Sequence, residues 1–299
     1  MIPRFWTIKE ILGVTTDYLK KKDIDNPRLS AEILLAYQLN KNRIKLYIDF
    51  DQPLNEKEIS GYRFLIRRRI NREPVEYITG TRGFWSLDFI VGPEVLIPRP
   101  ESELLVELVI SLLREKRLFE TQNPKILDLG TGCGSLAVSL AKEIQGTMIW
   151  ASDISEKALL TAKLNVKKYS LEDKIYFSHG DLLEPFKDQE YKFDIILSNP
   201  PYIASEDYHS LPPEVRNYEP RLALDGHEEG MFFIEKIIRE GADYLNPYGW
   251  ILLEMDPVQT SKALKLFDKT NKFCEKKRIR DYSHNYRVVM AQKKSLKRM

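Results

Sequence analysis

Apolar side chains recur at helical spacing in the first quarter of the chain. Thr7 followed by Glu10 has the spacing of a capping box, in which each side chain bonds the other residue's backbone N–H at a helix start. Asn26 and Pro27 predict a second helix start, with a cap followed by a proline in the first turn. The apolar stripe behind the first start consists of Ile8, Ile11, Leu12 and Leu19.

A third helix start is predicted where Asn55 is followed by Glu58, again at capping-box spacing. We therefore interpret residues 1–75 as a helical domain. Residues 81–92 alternate between polar and apolar positions and are rich in aromatic side chains, which is typical of a β-hairpin. We assign residues 76–98 to a hairpin linker that joins the helical domain to the rest of the chain.

From residue 101 onward, short apolar runs alternate with helical segments. This order predicts an α/β domain over residues 99–299, with a mostly parallel sheet covered by helices on both faces. Ligands of such sheets bind beyond the carboxyl ends of the strands. The predicted strands are 125–130, 147–153, 174–181, 193–199, 249–255 and a final pair within 277–292, and the predicted helices are 104–113, 135–144, 155–168 and 230–245.

Composition limits the cellular compartment and the classes of partner that we expect for this chain. The 299 residues suit two domains, and a net charge of +2 provides no general attraction to nucleic acid. Two cysteines, Cys133 and Cys274, cannot form a disulfide framework, and four scattered histidines do not suggest a metal site. No apolar run approaches the ~18 residues of a membrane span, and the N-terminus lacks a signal-peptide core. We expect a cytoplasmic protein that binds no metal, no membrane and no nucleic acid directly.

A glycine-rich loop follows the first predicted strand of the α/β domain. It runs from Asp128 to Gly134 and leads directly into a helix, whose free N–H groups favour a bound ligand. A dinucleotide fingerprint has its third glycine one place later, where this chain has Ser135. Between its two ends the loop contains Leu129, Gly130, Thr131, Gly132 and Cys133.

Acidic residues stand at the ends of the next two predicted strands. Asp153 lies 19 residues after Gly134 (153 − 134), where a carboxylate accepts both hydroxyls of a ribose in nicotinamide and S-adenosylmethionine sites. Asp181 is placed to reach an adenine amino group, with Leu182 packing against the ring. The alternative is a tight glycine turn with aspartates that cap helices. Together with Asp128, carboxylates at three successive strand ends favour a nucleotide site, without deciding which nucleotide.

The fourth predicted strand ends in the tetrad Asn199-Pro200-Pro201-Tyr202. Two prolines end a strand and an asparagine turns the chain, which explains the first residues of the tetrad but not the aromatic one. Amide and amino-purine nitrogens are weak nucleophiles because their lone pair is delocalised. The Asn199 side-chain oxygen and the Pro200 carbonyl are suited to hold such an NH₂ group in line with a methyl donor. Tyr202 is suited to pack on its flat face.

Longer motifs accompany the glycine loop and the tetrad. They are NREPVEYITGTRGFW (71–85), LIPRPESELLVE (96–107), FDIILSNPPYI (193–203) and EVRNYEPRLALDG (214–226). The tetrad alone is shared with adenine-N6 DNA methyltransferases, whereas LIPRPESELL and EPRLALDG at their places around it are more specific. On these residues the chain resembles the HemK/PrmC family of release-factor glutamine methyltransferases, over nearly its whole length.

The resemblance implies a Rossmann-like class I S-adenosylmethionine methyltransferase domain, with a mostly parallel seven-stranded sheet, and a small N-terminal helical domain that docks the substrate. The implied reaction transfers a methyl group from S-adenosyl-L-methionine to the side-chain amide nitrogen (N5) of a glutamine. That glutamine belongs to the Gly-Gly-Gln motif of class I peptide chain release factors. The predicted cofactor-binding residues are Asp128, Gly130, Thr131, Gly132, Cys133, Gly134, Asp153, Asp181, Leu182 and Asn199, and the predicted catalytic and substrate-binding residues are Asn199, Pro200, Pro201 and Tyr202.

Two positions depart from the family pattern. The family usually has glycine where His227 stands, and Glu-Ile-Gly where this chain has Glu254, Met255 and Asp256. Neither departure touches the tetrad, so we expect altered loop detail and retained activity. A polar segment, 203–230, is interpreted as a loop that forms one wall of the glutamine site.

A cluster of arginines in the helical domain is interpreted as a solvated helix face, with a docking surface as the alternative. It consists of Arg63, Arg67, Arg68, Arg69 and Arg72.

Four other functions share part of this pattern. A glutamine methyltransferase of a ribosomal protein would use the same tetrad, but LIPRPESELL favours the release-factor branch. An adenine-N6 DNA methyltransferase would need a target-recognition domain, and no segment has the required size or charge. A nicotinamide-dependent dehydrogenase conflicts with the glycine spacing and the tetrad. An adaptor that binds the cofactor without catalysis is disfavoured because Asn199 and Tyr202 are both present.

Overall fold

The computed structural model describes residues 6–114, 123–188, 190 and 192–295. The chain divides into two compact units. The first, here called the helical unit, comprises Met1–Thr81 and Pro212–Tyr218. The second, here called the sheet unit, comprises Arg82–Leu211 and Glu219–Met299. Among the described residues, no helix is both long and apolar enough to span a membrane.

The described α-helices are α1 (Ile8–Lys21), α2 (Pro27–Gln38), α3 (Arg43–Ile48), α4 (Glu56–Ile70), α5 (Val75–Thr79), α6 (Glu103–Arg114), α7 (Ser135–Glu143), α8 (Glu156–Lys168), α9 (Pro213–Tyr218), α10 (Phe232–Glu240) and α11 (Thr260–Thr270). The strands are β1 (Thr81–Phe84), β2 (Leu87–Ile90), β3 (Lys125–Leu129), β4 (Met148–Asp153), β5 (Ile175–His179), β6 (Phe193–Ser198), β7 (Leu245–Glu254), β8 (Phe273–Arg280) and β9 (Tyr286–Lys293).

Side-chain caps start the helices of the helical unit largely as predicted. Thr7 with Glu10 forms a complete capping box on α1, and Asn55 with Glu58 forms one on α4. Pro27 begins α2 as expected, but Asn26 has a left-handed backbone (φ 46°) and makes no side-chain cap bond. The predicted cap at that position is therefore wrong, because the side chain of a cap must reach the first-turn N–H groups from an extended backbone.

Two buried charged side chains in the helical unit are paired with opposite charges. Glu32 is 2% exposed and accepts hydrogen bonds from Arg28 and Arg43. Arg69 is 5% exposed and lies 3.2 Å from Glu214, which places α9 in this unit. The interpretation of the arginine cluster as a solvated face is therefore wrong for Arg69, because its guanidinium is buried against a carboxylate.

The sheet unit has a seven-stranded sheet in the order β5-β4-β3-β6-β7-β9-β8. β9 runs antiparallel to both of its neighbours, and the other neighbouring pairs are parallel. The expected mostly parallel seven-stranded sheet is thus confirmed. The chain moves outward from β3 through β4 to β5 and then returns to β6 on the other side of β3. This reversal is the topological switch point at which such sheets bind ligands.

The structure departs from the sequence expectations in three places. The final strand pair begins at Phe273 instead of residue 277, and α11 was not predicted. The segment 203–230, expected as a loop, contains α9 and several turns of 3₁₀ helix.

The predicted hairpin is present as β1 and β2, joined by Trp85 and Ser86, both with positive φ (50° and 56°). Two such residues match the twist of a two-residue hairpin turn.

Candidate active site

The ends of four neighbouring parallel strands meet at one edge of the sheet. Gly130 follows β3, Asp153 ends β4, Asp181 follows β5 and Asn199 follows β6. All four line one cavity of the sheet unit, together with Leu182. The cavity therefore lies at the switch point, where the sequence placed a nucleotide site.

The glycine loop is held against the end of the neighbouring strand. Gly130 and Gly132 adopt left-handed backbone conformations (φ +69° and +56°) that residues with side chains rarely take. The N–H groups of Gly130 and Thr131 both donate to the Ser152 carbonyl, at 2.8 and 2.9 Å. The loop consequently curls over β4 before α7 begins.

Asp153 connects the glycine loop to the turn after β4. Its two carboxylate oxygens accept the N–H groups of Gly132 and Ser155, each at 2.9 Å. An ionised carboxylate has about four acceptor positions, so two remain for a ligand. Burial raises the pKa of Asp153, and the backbone N–H donors oppose this shift. Hydroxyl groups donated by a ribose would favour the charged form further.

Several predicted cofactor residues lie outside the cavity wall. Asp128 is fully buried, and its carboxylate accepts the Thr131 hydroxyl proton at 2.6 Å. Burial raises the pKa of Asp128 to about 7. The Cys133 carbonyl accepts from Asn165 at 2.9 Å, and Gly134 caps α7. These residues shape the loop, and direct contact with the cofactor stays a prediction for each of them.

Asp181 and Leu182 form the part of the wall beyond β5. One oxygen of Asp181 lies 2.5 Å from Lys236 Nζ on α10, and this hydrogen bond raises the pKa of the lysine. The ion pair leaves the second oxygen of Asp181 available as an acceptor at the cavity wall. Leu182 has a left-handed backbone (φ 50°), and its side chain is 8% exposed in the wall. Sequence reasoning missed Lys236, since 55 residues separate it from Asp181.

The tetrad enters the cavity through Asn199 and Pro201. The Asn199 amide nitrogen donates to Ser102 Oγ at 3.0 Å. The amide oxygen therefore remains available as a hydrogen-bond acceptor at the cavity wall. Pro200 and Tyr202 do not belong to the cavity wall. The Tyr202 carbonyl accepts the Gln259 side-chain amide at 2.8 Å, which holds the chain just after the tetrad in place.

The segment after the tetrad pairs with the EPRLALDG motif. The Ile203 N–H donates to Leu224 at 3.0 Å, and the Gly226 N–H donates to Ile203 at 2.7 Å. Leu222 and Ala223 of the same motif line the cavity. Part of the segment 203–230 therefore does form a wall of the site, as expected.

Glu219 connects EPRLALDG to LIPRPESELL. Its side chain is 2% exposed, and one oxygen accepts from Arg99 Nη2 at 2.6 Å. The other oxygen accepts the Ile97 N–H at 3.2 Å. Sequence reasoning singled out both motifs but not this contact, because spacing along the chain does not show which motifs touch.

The two departures from the family pattern, at His227 and Asp256, affect the local backbone and its contacts. His227 has φ 62° and ψ −151°, a region that is essentially restricted to glycine. Its ring packs against Phe232 and Phe233, with centroids 4.9 and 5.4 Å apart. Asp256 accepts the Val258 N–H at 3.0 Å and thereby stabilises the turn before α11.

Comparison with known proteins places this site in a family. Residues 10–80 match the PrmC N-terminal domain, and residues 105–211 match the methyltransferase small domain. A release factor glutamine methyltransferase of Geobacter sulfurreducens is 41% identical, over 91% of this chain and 92% of that protein. The chain belongs to the release factor glutamine methyltransferase family. Proteins of the same name from Rhodopirellula baltica and Chlorobaculum tepidum are 37% and 36% identical, over 96% and 94% of this chain and 97% and 95% of theirs.

Solved structures support the fold alone. The hMettl16 catalytic domain, determined in complex with MAT2A 3'UTR hairpin 6, has a TM-score of 0.57 at 17% identity. The match covers 77% of this chain and 82% of the hMettl16 chain. The delta-N METTL16 methyltransferase domain has a TM-score of 0.52 at 18% identity, over 71% and 90% of the two chains.

The enzyme is thus a methyltransferase, and its cofactor is S-adenosyl-L-methionine, as the sequence predicted. The cavity suits this cofactor chemically. Asp153 retains acceptor positions for a ribose, while Asp181 offers an acceptor for an amino group. Apolar side chains for a flat ring are supplied by Leu96, Ala158 and Leu182.

Replacing Asp153 with alanine should weaken S-adenosylmethionine binding by about 1.5–3 kcal/mol, the worth of hydrogen bonds to a charged group. Titration calorimetry measures this change directly. The matched control is Asp173→Ala, an exposed aspartate before β5 that lies outside the cavity wall. Unchanged affinity in Asp153→Ala would place the ribose elsewhere.

His227→Gly should be more stable than His227→Ala, although glycine usually lowers stability. Both variants lose the ring contacts with Phe232 and Phe233, but only glycine relieves the backbone strain. We expect a difference of about 1–2 kcal/mol in the free energy of unfolding, measured by urea denaturation. A more stable alanine variant would show that the backbone at this position is not strained.

Proposed function

We propose that this methyltransferase transfers a methyl group from S-adenosyl-L-methionine to N5 of the glutamine in the Gly-Gly-Gln motif of class I peptide chain release factors, in the cytoplasm. The observation that carries the proposal is the Asn199 amide at the cavity wall, with its nitrogen committed to Ser102. Its oxygen is then an acceptor aimed at a substrate NH₂ group. The name shared by relatives at 36–41% identity supports release factors as the substrate class.

When bound, S-adenosylmethionine supplies a methyl group on a sulfonium, with a neutral thioether as leaving group. The protein's own residues position the glutamine amide for the reaction. Asn199 Oδ1 and the Pro200 carbonyl accept the two N–H groups of the glutamine amide and hold its nitrogen in line with the methyl group. The two prolines restrict the backbone that carries these acceptors. A near-attack geometry of this kind lowers the entropic part of the barrier.

In this proposal Tyr202 packs against the substrate amide and does not act as a base. Burial raises its pKa to about 12, so the hydroxyl stays protonated at neutral pH. Its ring packs against the core of the sheet unit. We infer that one face of the ring packs on the amide of the bound glutamine. The amide proton is lost after the methyl group has been transferred, so no base needs to act first.

We assign the cofactor to the glycine loop and the strand ends. The residues of the cavity wall that contact the cofactor are Gly130, Gly132, Asp153, Leu182 and Asn199. Asp181 also contacts it there, while Asp128, Thr131, Cys133 and Gly134 hold the loop in shape.

We assign residues 1–75 to docking of the release factor, 76–98 to a linker and 99–299 to catalysis. The match of residues 10–80 to the PrmC N-terminal domain supports a separate role for the helical unit. Large apolar side chains on this unit are exposed, among them Ile44 and Ile48 at 72% and Phe64 at 60%. Ile44 and Ile48 are four residues apart and therefore share one face of α3, which we assign to contact with the release factor.

Asn199→Ala should lower kcat far more than it weakens cofactor binding, because Asn199 is one of several residues that contact the cofactor and holds the glutamine amide. Loss of one preorganised polar contact in a transition state typically costs about 2–4 kcal/mol. Transfer of labelled methyl groups to a purified release factor measures kcat, and calorimetry measures the affinity for S-adenosylmethionine. Asn285→Ala, an exposed turn residue, is the matched control. Normal turnover in Asn199→Ala would remove the tetrad from the mechanism.

A further inference from the structure

One face of α8 holds the segment that leads from the hairpin to the cofactor cavity. Thr161, Asn165 and the C-terminal cap Tyr169 stand four residues apart, so their side chains point to the same side of the helix. Each of them forms hydrogen bonds with the segment 88–96, here called the linker strip. At its far end the linker strip lines the cavity through residues 94–96.

The two outer contacts fix the start of the linker strip and its end at the cavity. The Tyr169 hydroxyl accepts the Asp88 N–H and donates to the Asp88 carbonyl, both at 2.8 Å. The Thr161 hydroxyl, which is buried, donates to the Glu94 carboxylate at 2.7 Å. Both contacts therefore bind the linker strip to α8 and leave the glycine loop untouched.

The Asn165 side chain binds the linker strip and the glycine loop at once. Its oxygen accepts the Ile90 N–H at 2.7 Å, and its nitrogen donates to the Ile90 carbonyl at 2.9 Å. The nitrogen also donates to the Cys133 carbonyl of the glycine loop at 2.9 Å. An amide nitrogen has two protons, so both are used. Asn165 is fully buried, and its loss would leave two buried carbonyls without this donor.

Both segments that Asn165 joins supply parts of the cavity wall. The glycine loop contributes Gly130 and Gly132, whose left-handed backbones depend on the freedom of glycine. The linker strip reaches the wall through a turn in which the Val95 N–H donates to the Gly92 carbonyl at 3.1 Å. A wall that is already fixed before a ligand arrives loses less conformational entropy on binding.

We propose that Asn165 is a positioning residue for S-adenosylmethionine, although it lies outside the cavity wall. By holding the Cys133 carbonyl and the backbone of Ile90 with one amide, it keeps the glycine loop and the linker strip at a fixed separation in the cofactor-free enzyme. The affinity for the cofactor therefore depends on Asn165. This inference concerns the cofactor alone and does not depend on which glutamine is methylated.

A residue that only anchored the hairpin would behave differently. Its removal would lower the free energy of unfolding without changing how the folded protein binds the cofactor. Tyr169 provides this comparison on the same face of α8, because its hydrogen bonds reach Asp88 and not the glycine loop. Tyr169→Phe removes these bonds and keeps the ring that packs against Phe89.

The first test compares cofactor affinities by titration calorimetry, below the unfolding temperature of each variant. Asn165→Ala should weaken S-adenosylmethionine binding by about tenfold to a hundredfold, which corresponds to one or two lost hydrogen bonds. Thr161→Val, which releases Glu94 alone, should cause a smaller loss. Tyr169→Phe is the matched control and should bind the cofactor as the wild type does. Wild-type affinity in Asn165→Ala, or an equal loss in Tyr169→Phe, would overturn the proposal.

The second test is amide hydrogen exchange of the cofactor-free protein, followed by NMR, and it begins with the wild type. The Ile90 N–H donates to Asn165 and should exchange as slowly as the amides of the central strands. Rapid exchange of this amide would show that the Asn165 contact is not held, and the proposal would fail without any variant. In Asn165→Ala the amides of Gly130, Gly132 and Gly134 should exchange faster than in the wild type. Unchanged exchange of these three amides would likewise contradict the proposal.

Discussion

The hydrogen bond from Ser198 Oγ to the Leu129 carbonyl, 2.7 Å long and fully buried, joins the ends of the two strands that flank the switch point. On one side of it the chain continues into the glycine loop, and on the other into the tetrad. We propose that these two segments bind the methyl donor and the methyl acceptor. Because a near-attack geometry tolerates little displacement, holding β3 and β6 in register at this point is the constraint on which the site depends.

Around this point, segments far apart in sequence are connected by buried polar side chains. Ser102 joins LIPRPESELL to Asn199, and Glu219 joins EPRLALDG to Ile97 and Arg99. Gln259 holds the Tyr202 carbonyl from the start of α11. Polar groups in such positions must find partners, so each contact also specifies where its loop lies. Two of these contacts, from Ser102 and from Gln259, reach the tetrad directly.

Local signals in the sequence predicted local structure well. The capping boxes at Thr7 and Asn55 and the alternation of strands with helices are confirmed, because caps and periodicity are properties of short segments. The partners of Asn199 and Asp181 were not predicted, since Ser102 and Lys236 come together with them only through the sheet topology. Asn26 was misread as a cap because residue type alone does not show a left-handed backbone.

The most direct test of the account is transfer of labelled methyl from S-adenosylmethionine to a purified class I release factor, compared with a copy whose Gly-Gly-Gln glutamine is replaced by alanine. The account predicts label on the first protein and none on the second. Equal labelling of both would contradict the assignment of the glutamine. No label on either, with cofactor binding confirmed by calorimetry, would contradict the proposed substrate.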